Sequence, residues 1–170
     1  MDLRSSKRYV AIVAALCLLC VGMSGCTSIS SGGYEFKSGF LHPQEINDLI
    51  KNRTVVLVIT KNNCPDCDTM KPIIDDLKSQ LNGTNVTLQG TTASKQSTNA
   101  TKQATKLAFV EVNIDNNTRS LQIGSLYSQS AVIQTPTIVV IRSDGAIAVW
   151  KGPIDESTLK SAIEDAQKWK

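Results

Sequence analysis

One histidine, His42, stands in the whole 170-residue chain, and past residue 26 the only cysteines are Cys64 and Cys67. Three such side chains fall short of the four ligands that close a structural zinc site. Two thiolates are still enough for a soft ion such as Cu(I), so that reading stays open. Charge of either sign is equally scarce. Asp, Glu, Lys and Arg make up 19% of the residues and the formal net charge is +3. Arg4, Lys7 and Arg8 supply most of that excess against Asp2 alone, and beyond residue 25 the balance is fifteen basic to fourteen acidic side chains. No basic field is left for a nucleic-acid partner. Long apolar runs are absent too: the longest covers residues 10–21, 12 in all, against the roughly 20 that span a bilayer. Hydrophobic residues nonetheless reach 41%, enough for a packed core, and the length suits one globular domain with a tail.

What the N-terminus does have reads as an address. Positive residues at 4, 7 and 8 precede the apolar run, and small residues Ser24 and Gly25 lead to Cys26. This is the layout of a secretory signal over residues 1–25. Met23-Ser24-Gly25-Cys26 resembles the lipobox of prokaryotic lipoproteins, with Met23 where leucine is usual. That resemblance implies cleavage before Cys26 and lipidation of its thiol. The alternatives are an uncleaved N-terminal membrane anchor and simple secretion. Each places the domain outside the cytoplasm. Residues 26–39, rich in Ser and Gly, are expected to form a flexible tether.

The most informative stretch is Asn63-Cys64-Pro65-Asp66-Cys67-Asp68. It follows the apolar run Val55-Val56-Leu57-Val58-Ile59 and precedes a helix expected over 69–81. Cys64 is thereby placed where a strand gives way to a helix. Unpaired N–H groups and the positive end of the helix dipole gather at such a junction. A thiol there ionises more readily, and the thiolate is the reactive form.

Taken in order, the domain opens with a helix over 43–51, and His42 reads as a solvent-facing residue at its start. A strand over 55–60 follows, apolar almost throughout, as expected of a central strand covered on both faces. The next helix carries Met70, Ile73, Ile74 and Leu77 on one face, with a kinking Pro72 inside it. Residues 82–106 are dominated by Thr, Ser, Asn, Gln and Lys. They read as an exposed insertion, structureless or a binding element, with a small hairpin around Val86-Thr87-Leu88. A strand over 107–114 leads into a helix capped within Asp115-Asn116-Asn117-Thr118, with Leu121, Ile123 and Leu126 on its apolar face. A strand over 137–141, a Ser143-Asp144-Gly145 turn and a strand over 146–151 form a hairpin. A last amphipathic helix over 155–169 presents Leu159, Ile163 and Ala166. The order predicts an α/β fold with a mixed sheet and helices on both faces. Asn-x-Ser/Thr triplets begin at Asn52, Asn82, Asn85, Asn99 and Asn116. They are either glycosylation acceptors on an external surface or a by-product of Asn- and Thr-rich loops.

On these residues, over about 40–170, the chain resembles the thioredoxin superfamily. Cys64-Pro65-Asp66-Cys67 follows the first core strand, Pro72 falls where that family kinks its helix, and Val112-Asn113-Ile114-Asp115 matches the end of its next strand. Thr135-Pro136-Thr137 matches its cis-proline site, Ser143-Asp144-Gly145 its hairpin, and Gly152 the glycine before its last helix. The departures are Asn63 for the usual tryptophan, Pro65-Asp66 for Gly-Pro, Val58 for a buried acid and Glu111 for a lysine. The resemblance implies a thioredoxin-like fold, a central mixed β-sheet flanked by helices, and protein thiol–disulfide exchange without a bound cofactor beyond a redox-active Cys64–Cys67 disulfide. Cys64 is then the nucleophile, expected to be the more exposed of the two, and Cys67 the resolving thiol. Thr135 and cis Pro136 would hold the partner's backbone. Asp66 would oppose ionisation of Cys64, and Asp68 would do the same or cap the helix. The implied partners are protein thiols or disulfides, a redox-recycling partner and the membrane, reached by a monomer. A structural disulfide, a thiol-based Cu(I) carrier and a non-catalytic module on the same fold are the alternatives.

Overall fold

In a computed structural model, residues 34–88 and 106–169 are described. The signal segment, Cys26, Asn99 and most of the polar insertion lie outside them. Among the described residues, no helix is long and apolar enough to cross a membrane.

Helix α1 (Gln44–Ile50) leads to strand β1 (Thr54–Thr60), and α2 (Pro65–Gln80) to β2 (Thr84–Thr87). Then come β3 (Leu107–Asn113), α3 (Thr118–Ser128), the hairpin β4 (Thr137–Ile141) and β5 (Ile147–Lys151), and α4 (Glu156–Lys168). The sheet order is β2-β3-β1-β4-β5. β1 and β2 both run parallel to β3, whereas β4 is antiparallel to β1 and β5 to β4. The expected α/β fold, a mixed sheet flanked by helices, is what forms. β1 sits at its centre with every residue buried, which is why its sequence is a near-continuous β-branched run.

Strand alternation divides the core into two layers. Val56 and Val58 of β1 face Met70, Ile74 and Leu77 of α2 and Leu159, Ile163 and Ala166 of α4. Val55, Leu57 and Ile59 face α1 and α3 through Ile46, Ile123 and Tyr127. Removing these side chains from water, at about 25 cal/mol per Å² of apolar surface, is the main stabilising term.

Five expectations change. Among the described residues no hairpin forms at Val86-Thr87-Leu88; Thr84–Thr87 is instead a strand paired in parallel with β3. It is reached through a tight helix end. Asn82 takes a left-handed conformation (φ 51°), and the Gly83 N–H bonds Lys78 O at 2.9 Å, a Schellman closure in which Asn tolerates the positive φ. Second, α2 begins at Pro65, a turn earlier than position 69, because proline suits the first helical position. Third, the buried face of α3 is Ser120, Ile123, Gly124 and Tyr127, while Leu121 and Leu126 are 47% and 40% exposed. Fourth, the end of the expected tether belongs to the domain: Tyr34 is buried, and Lys37 pairs with Ile147 through bonds of 2.8 and 2.9 Å.

His42 is not solvent-facing either. Its Nδ1 lies 2.8 Å from the Tyr127 hydroxyl and its Nε2 2.8 Å from Gly145 O. A carbonyl only accepts, so Nε2 carries a proton, and in the neutral imidazole Nδ1 then accepts from the tyrosine. Burial pushes the Tyr127 hydroxyl pKa well up, with the charge of Glu45 adding to it.

Candidate active site

The turn between β1 and α2 is braced from the neighbouring strand end. Asp115 Oδ2 accepts the Asn62 N–H at 2.8 Å, Asn113 Nδ2 donates to Asn62 Oδ1 at 2.9 Å, and the Ile114 N–H donates to Thr60 O at 3.0 Å. Asn63 then turns the chain with φ 51°. This side chain tolerates left-handed backbone, where tryptophan would be strained.

Cys64 follows as the N-cap of α2, in extended conformation. It is bonded to Cys67 with an S–S distance of 2.07 Å. Its Sγ accepts the Cys67 N–H at 3.2 Å, so the sulfur itself does what a capping Ser or Asp oxygen usually does. Asp68 therefore is not the cap; Asp66 and Asp68 lie exposed in the first turn. Their negative charges complement the helix dipole, and the same charges oppose a thiolate at Cys64.

The third contributor arrives from the loop before β4. Thr135–Pro136 is a cis peptide, and the Thr135 hydroxyl lies 3.5 Å from Cys64 Sγ. A disulfide sulfur has no proton, so the hydroxyl is the donor. Pro136 is held in turn by the Gly152 N–H, which bonds Pro136 O at 2.8 Å. Gly152 adopts φ 91° with nothing within 4 Å of where a Cβ would stand, so backbone freedom rather than space requires glycine there.

The structure thus brings together Cys64, Cys67, Pro65, Asp66, Thr135 and Pro136, all named from sequence. Exposure does not separate the two cysteines as expected. Cys64 is 5% exposed and Cys67 half-buried. What distinguishes Cys64 is its pair of hydrogen-bond donors, the Cys67 N–H and the Thr135 hydroxyl, which favour negative charge on that sulfur.

Beside the disulfide lies a groove of about 300 Å³ between α2 and the sheet. Val58, Met70, Ile74 and Phe109 are among its walls; Thr60, Cys67 and Glu111 also line it. Sequence reading gives Thr60 no place in the site. Its signal is weak: a threonine ending a strand is common, and only the pleat shows which face it takes. Among the described residues no group of three or more His, Cys, Asp and Glu is placed to hold a metal ion.

The family model of the thioredoxin-like domain matches residues 44–167. No curated protein sequence matches the chain. Among solved structures, the thioredoxin of Fasciola hepatica is similar at 17% identity and a TM-score of 0.49, over 72% of this chain and 88% of that one. A mutant thioredoxin from Halobacterium salinarum is 19% identical, with a TM-score of 0.48 over 75% and 88% of the two chains. A thiol:disulfide interchange protein from Chlorobium tepidum is 12% identical, with a TM-score of 0.48 over 71% and 84%. The domain match takes in the cysteine pair, the cis-proline loop and nearly all of the described fold, and on it the chain belongs to the thioredoxin-like domain family.

Proposed function

We propose that this protein is a membrane-tethered, extracytoplasmic thiol–disulfide oxidoreductase that exchanges disulfides with protein substrates through Cys64 and Cys67. The observation that carries the exchange chemistry is the Cys64–Cys67 disulfide at the start of α2, with Cys64 Sγ facing the Cys67 N–H and the Thr135 hydroxyl. The tether and compartment rest on sequence: the basic, apolar and small residues ending at Cys26.

In the reducing direction, the Cys64 thiolate attacks a client disulfide and one client thiolate leaves. Cys67 then attacks the Cys64 sulfur of the mixed disulfide, the second client thiolate leaves, and the Cys64–Cys67 bond forms. Two electrons pass to the client. A partner dithiol runs the same steps backwards to recycle the protein, and no bound cofactor takes part. Run the other way, the disulfide oxidises a client. Asp66 and the side chain of Thr135 adjust the Cys64 thiolate, while the backbone at Thr135-Pro136 aligns the client chain.

Trapping tests this assignment of roles. Reduced Cys67→Ser protein mixed with a disulfide-bonded client should accumulate a covalent complex that dithiothreitol dissolves, and Cys64→Ser should not. Complex formation by Cys64→Ser alone would reverse the roles. No complex with either, together with Cu(I) retained against competing thiols, would favour the metal carrier.

A further inference from the structure

One buried polar atom has no evident use. Thr60 Oγ1 is the only buried side-chain nitrogen or oxygen among the described residues without a hydrogen-bond partner, and Thr60 is 9% exposed. Buried hydroxyls nearly always find a partner, and an exception calls for a reason. Thr60 lines the groove that Cys67 also lines. The β1–β3 register sets Val58 opposite Glu111 and Thr60 opposite Asn113. By the pleat, Glu111 falls on the same face as Phe109, towards α2, and it lines the groove too. Glu111 has no hydrogen bond or ion pair with another described residue.

The charged side chains around this groove are Lys61, Asp68, Lys71, Asp75, Lys78 and Glu111. Asp75 is engaged by Lys78 at 3.0 Å. Asp68 sits exposed in the first turn of α2. It also directly follows Cys67, and adjacent helical side chains point apart. Glu111 is the carboxylate left free to accept a proton.

The geometry points to Glu111 as the proton acceptor for Cys67, with the Thr60 hydroxyl orienting water between them. This rests on the exchange reading above, since only there must Cys67 become a thiolate. The Cys67 S–H proton passes through water in the groove to the Glu111 carboxylate. The Cys67 thiolate attacks the Cys64 sulfur, the Cys64–client S–S bond breaks, and its electron pair leaves on the client thiolate. Glu111 returns the proton to solvent.

The test is stopped-flow reaction of the fully reduced protein with a symmetric aromatic disulfide whose released thiolate is coloured. Attack by Cys64 releases the first equivalent, and resolution by Cys67 the second. Glu111→Gln should slow the second release by about a hundredfold near neutral pH, the modest end of what positioned acid–base groups contribute, and leave the first unchanged. The wild-type second-phase rate should be flat with pH below the thiol range, whereas that of Glu111→Gln should follow the thiolate fraction, about tenfold per pH unit. Glu111→Asp should recover part of the rate, and Asp68→Asn should keep the flat profile. Thr60→Val should slow the second phase, because it deletes the hydroxyl that orients the water. An unchanged second phase and pH profile in Glu111→Gln would overturn this assignment alone. Failure of the wild-type protein to release a second equivalent would instead overturn the exchange reading beneath it.

Discussion

At Cys64 two influences on one sulfur act in opposite senses. The N-cap position, the Cys67 N–H and the Thr135 hydroxyl stabilise a thiolate, while the nearby carboxylates of Asp66 and Asp68 oppose it. CxxC thiols of this fold span pKa values from about 3.5 to about 7. With two acids in the first helical turn, Cys64 is expected toward the upper end. Titrating the thiolate absorbance of the reduced protein checks this, and a value below about 5 would contradict it. Asp66→Asn should lower the Cys64 pKa and Thr135→Val should raise it. Of these groups, the cysteines, Asp66 and the Thr135-Pro136 step are legible in the sequence because motif and spacing mark them. The hydroxyl contact is not, because it depends on where a loop 71 residues away returns.

Among the elements, the sequence is legible where burial is continuous and opaque where it is partial. β1, β4 and α4 announce themselves by unbroken or strongly periodic apolarity. β2 does not, since Thr84-Asn85-Val86-Thr87 is a polar strand that, among the described residues, pairs on one side only. Helix α3 misleads for a more specific reason. Its leucines suggest one face, but the helix approaches the sheet through Gly124, where an added Cβ would stand 2.6 Å from Ile114 Cγ2. Close approach at a glycine, rather than hydropathy, selects the buried face. Gly124→Ala should therefore destabilise the fold by about 1–3 kcal/mol through overpacking, and Ile123→Ala by about 2–5 kcal/mol. Leu121→Gln should stay within about 0.5 kcal/mol. Urea unfolding of the three variants measures this, and a Leu121 effect as large as that of Ile123 would refute the assigned face.

Over the whole molecule, residues whose composition suggests a tether bind the chain to its own edge strand. The Tyr34 hydroxyl reaches Ser161 at 3.4 Å and donates to Asp165 of α4, and Tyr34 packs edge-on against Trp150 at 5.7 Å. The domain thus begins at or before residue 34, and residues 34–39 belong to it.

Global stability should also carry an acid limb from the cap of α4. The Ser157 hydroxyl and then the Thr158 N–H lower the Asp155 pKa to about 2. A carboxylate depressed in the folded state contributes stability above its unfolded value, about 3.9, and loses it as pH falls through about 2. Asp155→Ala should lower the melting temperature at neutral pH, with the difference from wild type shrinking between about pH 4 and 2. A difference constant across that window would show that the cap does not act through its charge.

The central claim is that Cys64 and Cys67 together carry out catalytic disulfide exchange. Its most direct test is the reduction of insulin by dithiothreitol, followed by turbidity, with wild-type protein, Cys64→Ser and Cys67→Ser at substoichiometric concentration. Acceleration by wild type and none by Cys64→Ser is the predicted result. Equal rates with wild type, with Cys64→Ser and without protein would contradict it.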